Sequence, residues 1–460
     1  MQTARTPRIA AFAASSKSNL TDVLLVSAFY LAYYLELSIA VDSTIAFPFA
    51  GCFFISAIIF IRNRHSLRRD RVLNFSIIVA LMAASLLTTM LDNEALSKRF
   101  SSLANACVTL FCSCAWFIAL MRLRSAQIQT LFFSIAACIL IFALLEQLEF
   151  VRMISDSVRQ AIYLSGIYDS DERDIAMYGM IRPKVFLREP SLVSINIGLA
   201  LTAWFLIRKN GSSIVRVIAV VASSLICLIV VRSPTILFYD VVCVLGALLL
   251  SRSPAARALG RVATIVVLAA LLVLPQLLLF FSEVFGGQIE VIVRGWSFFL
   301  RQIGPYQVAI ETLKDRPFFG YGIGASDVLR SVVIATYPVS DPQFLLMTKT
   351  GVWRPDFFLT NGFWQFWTIF GLAVGTALIT AYSRLLRSLG VIDVLMVWAS
   401  VALSAQTISG VTGMWLSLFL FTFAAVALHR AADEKRSGGE GKAPLALPSS
   451  VILDSRSSSR

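Results

Sequence analysis

Two polar stretches in an otherwise apolar chain hold the residues best suited to chemistry. The first, IRPKVFLREPSLVS, crowds Arg182, Lys184, Arg188 and Glu189 at the point where a polar segment gives way to an apolar one. Arginine presents a rigid fork of donors that matches phosphate oxygens, so this cluster suits a phosphorylated ligand. Glu189 stands before Pro190 and Ser191 at an expected helix start, where the helix dipole favours a carboxylate. It either caps that helix or serves as a general base. The second stretch opens at Arg294 and runs through GWSFFLRQIGPYQVAIETLKDRPFFGYGIGAS. Apolar residues at Phe298, Phe299, Ile303 and Val308 predict a helical segment pressed on a membrane surface and interrupted near Pro305. Gly320, Gly322 and Gly324 either let the backbone approach a ligand closely or form a plain turn.

Three further residues stand near the same face. Arg232 lies in the short connection VRSPT, and Asp240 follows several residues inside an apolar run. A carboxylate at the centre of a spanning helix costs roughly 2.5 to 3.5 kcal/mol on insertion scales, so Asp240 is either functional or paired with an arginine. Glu36 is expected to be interfacial, at the end of the first span. The only histidines, His65 and His429, fall on the opposite side, so the face carrying the two stretches has no imidazole to act as a base.

The elements that must position these groups are set by composition. The 460 residues are 57% hydrophobic with mean hydropathy +0.77, whereas soluble domains are roughly 45 to 50% apolar. The chain reads as an all-α polytopic membrane protein. Apolar runs near 23–40, 44–61, 72–91, 103–121, 128–146, 191–207, 217–231, 235–250, 262–281, 361–382, 390–408 and 411–428 predict about twelve transmembrane helices. The net charge of +13 is dispersed between these runs, which argues for topology and against nucleic acid. The segment RNRHSLRRDR at 62–71 holds five arginines, and the short loops with Arg122 and Arg124, Arg208 and Lys209, Arg252 and Arg257, and Arg384 and Arg387 fall on its side. The positive-inside rule makes that side cytoplasmic. Both termini are then cytoplasmic, with residues 1–20 a short tail, 21–428 the transmembrane domain and 429–460 a disordered Ser-, Gly- and Pro-rich tail. Two long loops, 147–190 and 282–360, emerge on the outer face.

The seven cysteines all lie in apolar runs, so no disulfide framework is indicated. Cys112 and Cys114 point about 200° apart on a helix and read as packing residues. GYGIG lacks the Lys-Ser/Thr of a phosphate loop.

Taken in order, RPKVFLREPS, Arg232 in VRSPT, Arg294 before GWSFFL, DRPFFGYGIGAS, and TNGFWQFWTIFGLAVG from Thr360 to Gly375 resemble the O-antigen polymerase and ligase superfamily of bacterial envelope glycosyltransferases. The resemblance implies a GT-C-like, metal-independent inverting transferase, without cofactor, in the bacterial cytoplasmic membrane. Its substrate would be an undecaprenyl-diphosphate-linked oligosaccharide, and a flippase and a chain-length regulator would be its partners. On this reading Glu189 and Arg294 are catalytic, and Arg182, Arg188, Arg232 and Arg294 bind the diphosphate. Asp240, Gly320, Gly322, Gly324 and Asn361 are further candidates. Related ligases carry a histidine just ahead of the asparagine that opens the next span; here Thr360 precedes Asn361, which favours a polymerase. A flippase or transporter without chemistry would place charged residues along a central path instead of at the membrane faces.

Overall fold

The computed structural model describes residues 20–438 apart from 41–45, 48, 65–68, 92–95, 164–170, 208–212, 286–298, 338–358, 409 and 411–412. Apart from a two-residue ladder pairing Ile39 with Phe47 and Ala40 with Ala46, its regular structure is helical. The helices are α1 (Leu20–Tyr34), α2 (Ala50–Arg62), α3 (Arg69–Ala84, continued by a 3-10 segment, Ser85–Leu91), α4 (Leu96–Arg122) and α5 (Ser125–Leu145). The first long loop forms α6 (Glu149–Ile162) and α7 (Asp171–Tyr178) before α8 (Pro190–Leu206). Then come α9 (Ser213–Ile226, ending in a π turn, Cys227–Val231), α10 (Ile236–Leu249) and α11 (Pro254–Phe285). The second long loop contains a π turn (Phe299–Ile303), α12 (Gly304–Asp315) and α13 (Ser326–Thr336), and α14 (Gly362–Leu389), α15 (Val394–Ala405) and α16 (Met414–Gly438) complete the chain.

A helix lies over each of the twelve apolar segments. Seven are long and apolar enough to cross a bilayer, and the other five are apolar helices of 10–17 residues. The chain is thus a helical membrane protein. Burial sorts the helices into interior and rim. Fourteen of the seventeen residues of α8 are buried, as expected of a helix that is apolar all round and surrounded by others. It packs on α5 and α10, while α16 packs on α4 and α15. Gly198 lets α8 lie directly on the Tyr239 ring of α10, where a Cβ would overlap the ring. On the rim, α11 exposes Leu259, Val262, Ile265, Val266 and Leu272. Such a surface suits contact with lipid.

One boundary and one packing arrangement differ from the sequence expectation. The last helix continues to Gly438, nine residues beyond the expected start of a disordered tail. Its extension is anchored because the ring of buried His429 reaches the Leu120 carbonyl and Arg430 donates to the Leu206 carbonyl at 3.2 Å. The described apolar positions of the amphipathic run in the second loop pack into the protein itself. Phe299, Ile303 and Val308 are buried against Leu329, Val333 and Tyr337 in a small core of their own. Pro305 sits in the first turn of α12, where its missing N–H costs nothing.

The α14 helix is broken at Gly371 (φ 59°, ψ −172°), and the second loop splices the break. Tyr321 and Gly322 donate their backbone N–H groups to the Thr368 and Ile369 carbonyls at 3.0 and 2.8 Å. On the far side of the break, Leu372 and Ala373 donate to the Pro317 and Phe318 carbonyls at 2.7 and 3.1 Å. A helix break at membrane depth leaves backbone groups that water cannot reach, and here protein backbone satisfies them.

Candidate functional site

The first loop is built around an unusual turn. Val185 (φ 44°) and Phe186 (φ 64°) both adopt the left-handed region, at a cost of roughly 1 to 2 kcal/mol for each non-glycine residue. Surrounding hydrogen bonds hold them there. Lys184 and Val185 donate their N–H groups to one Glu146 oxygen at 2.8 and 2.6 Å. Phe186 N–H donates to Ser155 at 3.1 Å, and Tyr34 donates to the Val185 carbonyl at 2.8 Å. Tyr163 donates to the Phe186 carbonyl at 3.1 Å, and the Arg159 guanidinium to the Leu187 carbonyl at 2.8 Å. Ser155 and Arg159 of α6 therefore face inward, while Leu148, just before it, and Phe150, Met153 and Ile154 are exposed together with Ser157 and Gln160.

This framework decides what the cations of RPKVFLREPS can do. Arg182 has partners that its sequence position does not announce. Its Nε lies 2.8 Å from Asp174, which is fully buried, and its guanidinium stacks over the Tyr178 ring. The geometry thus gives Arg182 an ion pair that holds the first loop together. Lys184, only 2% exposed, lies 2.8 Å from Asp171. Arg188 remains about one-third exposed, stacked on Tyr163 and with its Nε 2.8 Å from the Glu36 carboxylate.

Glu189 occupies the N-cap position of α8 in extended conformation (φ −137°, ψ 146°), but its side chain accepts no bond from the helix backbone. The exposed carboxylate instead accepts a hydrogen bond from the Ser191 hydroxyl at 3.0 Å. Glu36 is the residue that sequence reasoning undervalued. It lies two residues past α1 in a left-handed conformation (φ 46°), 12% exposed, and hydrogen-bonds to Trp415. Burial pushes its carboxyl up from the ordinary glutamate range, Arg188 pulls it down, and Glu189 pushes it up again. Two carboxylates and one arginine thus share the entrance to α8. Nothing in the sequence pairs Glu36 with Arg188, because the two are far apart in the chain.

The other candidates scatter. Arg232 is exposed, in the left-handed region (φ 53°) immediately after the π turn of α9. Asp240 is half-buried in α10 and accepts a hydrogen bond from Ser224 of α9 at 2.8 Å, so its partner is a hydroxyl. Gly320, Gly322 and Gly324 all have positive φ, and a Cβ on any of them would overlap protein atoms. At Gly322 those atoms include Thr88 Oγ1, the Ser85 carbonyl and the Arg99 guanidinium. The three glycines therefore permit a close approach to the protein's own backbone, in place of the approach to a ligand that was one of the two expectations. Arg99, fully buried, donates to the Tyr321 carbonyl at 2.8 Å and fixes the loop from the α4 side.

Asn361 is buried and structural in its contacts. Its amide donates to the Arg301 carbonyl and to Gln406, both at 2.9 Å, while its oxygen caps α14 through the Phe363 and Trp364 N–H groups. Arg294 and Phe298 lie outside the described residues. Among the described residues no group of three or more His, Cys, Asp or Glu is arranged to hold a metal ion, and the seven cysteines are free thiols. No family model matches the chain, and no curated protein matches it.

Proposed function

We propose that this protein polymerises lipid-diphosphate-linked oligosaccharide repeat units by inverting glycosyl transfer. The proposal has twelve spanning helices in the bacterial cytoplasmic membrane, with both long loops on its outer face. The sequence resemblance motivates the reaction class. The observation that carries the site assignment is the state of Glu189. It stands exposed at the entrance of a buried helix, it does not cap that helix with its side chain, and the guanidinium of the adjacent residue, Arg188, stays partly exposed.

In the proposed reaction the Glu189 carboxylate takes the proton of an acceptor hydroxyl. That oxygen forms a bond to the anomeric carbon of the donor sugar as the bond from that carbon to the diphosphate oxygen breaks. The lipid diphosphate leaves with the electron pair. Arg188, Arg232 and Arg294 are the cations assigned to the charge that develops on it, since positive groups placed in advance stabilise a departing anion without reorganisation. Outside the cytoplasm there is no nucleotide supply, so an activated glycan must carry its own leaving group.

An accumulation assay tests the assignment. Loss of the protein from a cell that makes the polymer is expected to leave single lipid-linked repeat units in the outer leaflet. Units trapped in the inner leaflet would identify a flippase and overturn the reading.

A further inference from the structure

Glu36 stands at the entrance of α8 with no part in the proposed reaction. The turn that carries it is closed by Glu36 N–H donating to the Tyr33 carbonyl at 3.0 Å and by Leu37 N–H donating to the Ala32 carbonyl at 3.1 Å. The Leu37 carbonyl in turn accepts from Gly51, at the start of α2. Its backbone is therefore fixed, and its carboxylate is held 12% exposed beside the Trp415 indole.

The surroundings leave that carboxylate one cation. Tyr33 on α1, Tyr163 after α6, and Arg188 and Glu189 before α8 face it, and Cys52 of α2 lies beside Tyr33. Tyr163 donates its hydroxyl hydrogen to the Phe186 carbonyl and Tyr34 donates to the Val185 carbonyl. Arg159 donates to the Leu187 carbonyl and pairs with Asp156, and Glu146 accepts from Lys184 and Val185 N–H. Among the described residues, Arg188 alone is within ion-pair distance of Glu36.

This contact is suited to exchange. The Arg188 Nε is buried 2.8 Å from a Glu36 oxygen, yet its N–H is not aligned on that oxygen as a hydrogen bond. A diphosphate offers a guanidinium two parallel hydrogen bonds. The arginine can turn toward it, whereas the carboxylate on its fixed turn cannot follow. Glu36 would then be a buried charge stripped of its partner, the costly outcome of breaking such a pair, with Glu189 and the arriving anion beside it. A proton removes that cost. Burial already pushes the Glu36 carboxyl up, with Arg188 pulling it down. Glu189 is the exposed carboxylate of the two and stays ionised.

We propose that Glu36 is a proton-exchanging positioning residue, which holds Arg188 in the free protein and takes one proton from the outer solution when a lipid diphosphate takes the guanidinium. Product release reverses the exchange: the carboxyl returns its proton to solution and recovers Arg188. The inference rests on the assignment of Arg188 to the diphosphate. Because the bound state holds the extra proton, affinity falls as pH rises wherever Glu36 is ionised beside Arg188 and protonated without it. The limit for one proton is about tenfold per pH unit.

The test uses the full-length chain in phosphatidylcholine nanodiscs and a sugar-free probe, a farnesyl methyl diphosphate diester, whose acidic oxygens stay ionised across the neutral range. Calorimetric titrations in paired buffers of different ionisation enthalpy count the protons. Uptake approaching one proton per bound probe is expected, with binding tighter at lower pH. Glu36→Gln should bind the probe at least as tightly as the parent and take up no proton. Arg188→Gln should bind it about ten- to a hundredfold more weakly and also take up none, because Glu36 already holds one. Glu189→Gln should retain the uptake. No binding, binding by the parent without uptake, uptake that survives in Glu36→Gln, or uptake lost in Glu189→Gln would each overturn the proposal. So would its loss when phosphatidylglycerol replaces half of the phosphatidylcholine, since an ordinary anionic headgroup would then hold Arg188. A chain that takes up the proton with the probe but makes no polymer from lipid-linked units refutes the polymerase reading alone. One that makes polymer and binds the probe without uptake refutes the role of Glu36 alone.

Discussion

The two long loops solve the same problem, holding polar backbone rigid beside a membrane, by opposite means. The first uses charge. Asp174, Asp171, Glu146 and Arg159 bind the backbone and cations of RPKVFLREPS so completely that two non-glycine residues stay in the left-handed region. The second uses the absence of side chains, since its three glycines and Gly371 let it thread into a broken helix and exchange backbone hydrogen bonds across the break. The difference teaches that a basic motif is not automatically a binding motif. Arg182 and Lys184 hold the first loop together, while Glu189 and part of Arg188 stay exposed at the entrance of α8.

The comparison breaks most visibly at Gly322. Gly322→Ala places a Cβ against Thr88, Ser85 and Arg99 at a φ of +80°, combining overpacking with backbone strain. A loss above about 4 kcal/mol is expected, read as failure to recover a monodisperse protein from membranes. Normal recovery would show that the splice is dispensable.

A smaller loss is expected in the charged loop. Arg182→Ala leaves Asp174 buried without its cation, and breaking such a pair typically costs about 3 to 5 kcal/mol. If the pair is structural, the double variant Arg182→Met with Asp174→Leu recovers most of the melting temperature, because well-packed apolar residues can replace a buried ion pair. A full loss of polymer in that stable double variant would return Arg182 to the diphosphate site.

The smallest effect is a pH dependence confined to the first loop. Burial raises the Glu146 carboxyl above its ordinary range, against the lowering effect of its hydrogen bonds from Ser155, Val185 and Lys184. A group raised in the folded state binds more protons there than in the unfolded chain. Its contribution to stability is therefore full below the ordinary carboxylate pKa and declines as pH rises through the folded value. Thermal melts from pH 4 upward should show this decline, and Glu146→Gln, which keeps an acceptor for both N–H groups, should flatten it. An unchanged slope would place the titrating group elsewhere.

The helices were legible because long apolar runs admit few alternatives, and every run carries a helix. Their ends were less so. Helix α4 begins at Leu96 and α16 runs on to Gly438, outside the apolar pattern, with buried polar contacts at Arg99, His429 and Arg430 near those ends. The candidate site was legible in part. The motif around Arg188 and Glu189 stood out as a cluster of types, but the turn at Val185 and Phe186 has no glycine to announce it. The Glu36 to Arg188 pair joins two regions that no local pattern connects. The glycines of GYGIG were visible, yet their partner is the backbone of α14 and Arg99, and a glycine at 371 in an apolar run looks the same whether the helix is continuous or broken.

The central claim, that Glu189 is a base and not a helix cap, is tested most directly by turnover. The full chain, purified and supplied with a lipid-diphosphate-linked repeat unit, is compared with Glu189→Gln, which preserves shape and cannot take a proton. Removing a general base typically costs about 10² to 10⁴ in rate, so the variant should fold, bind the lipid-linked unit as the parent does, and make polymer at least about a hundredfold more slowly. Undiminished turnover by Glu189→Gln would contradict the account.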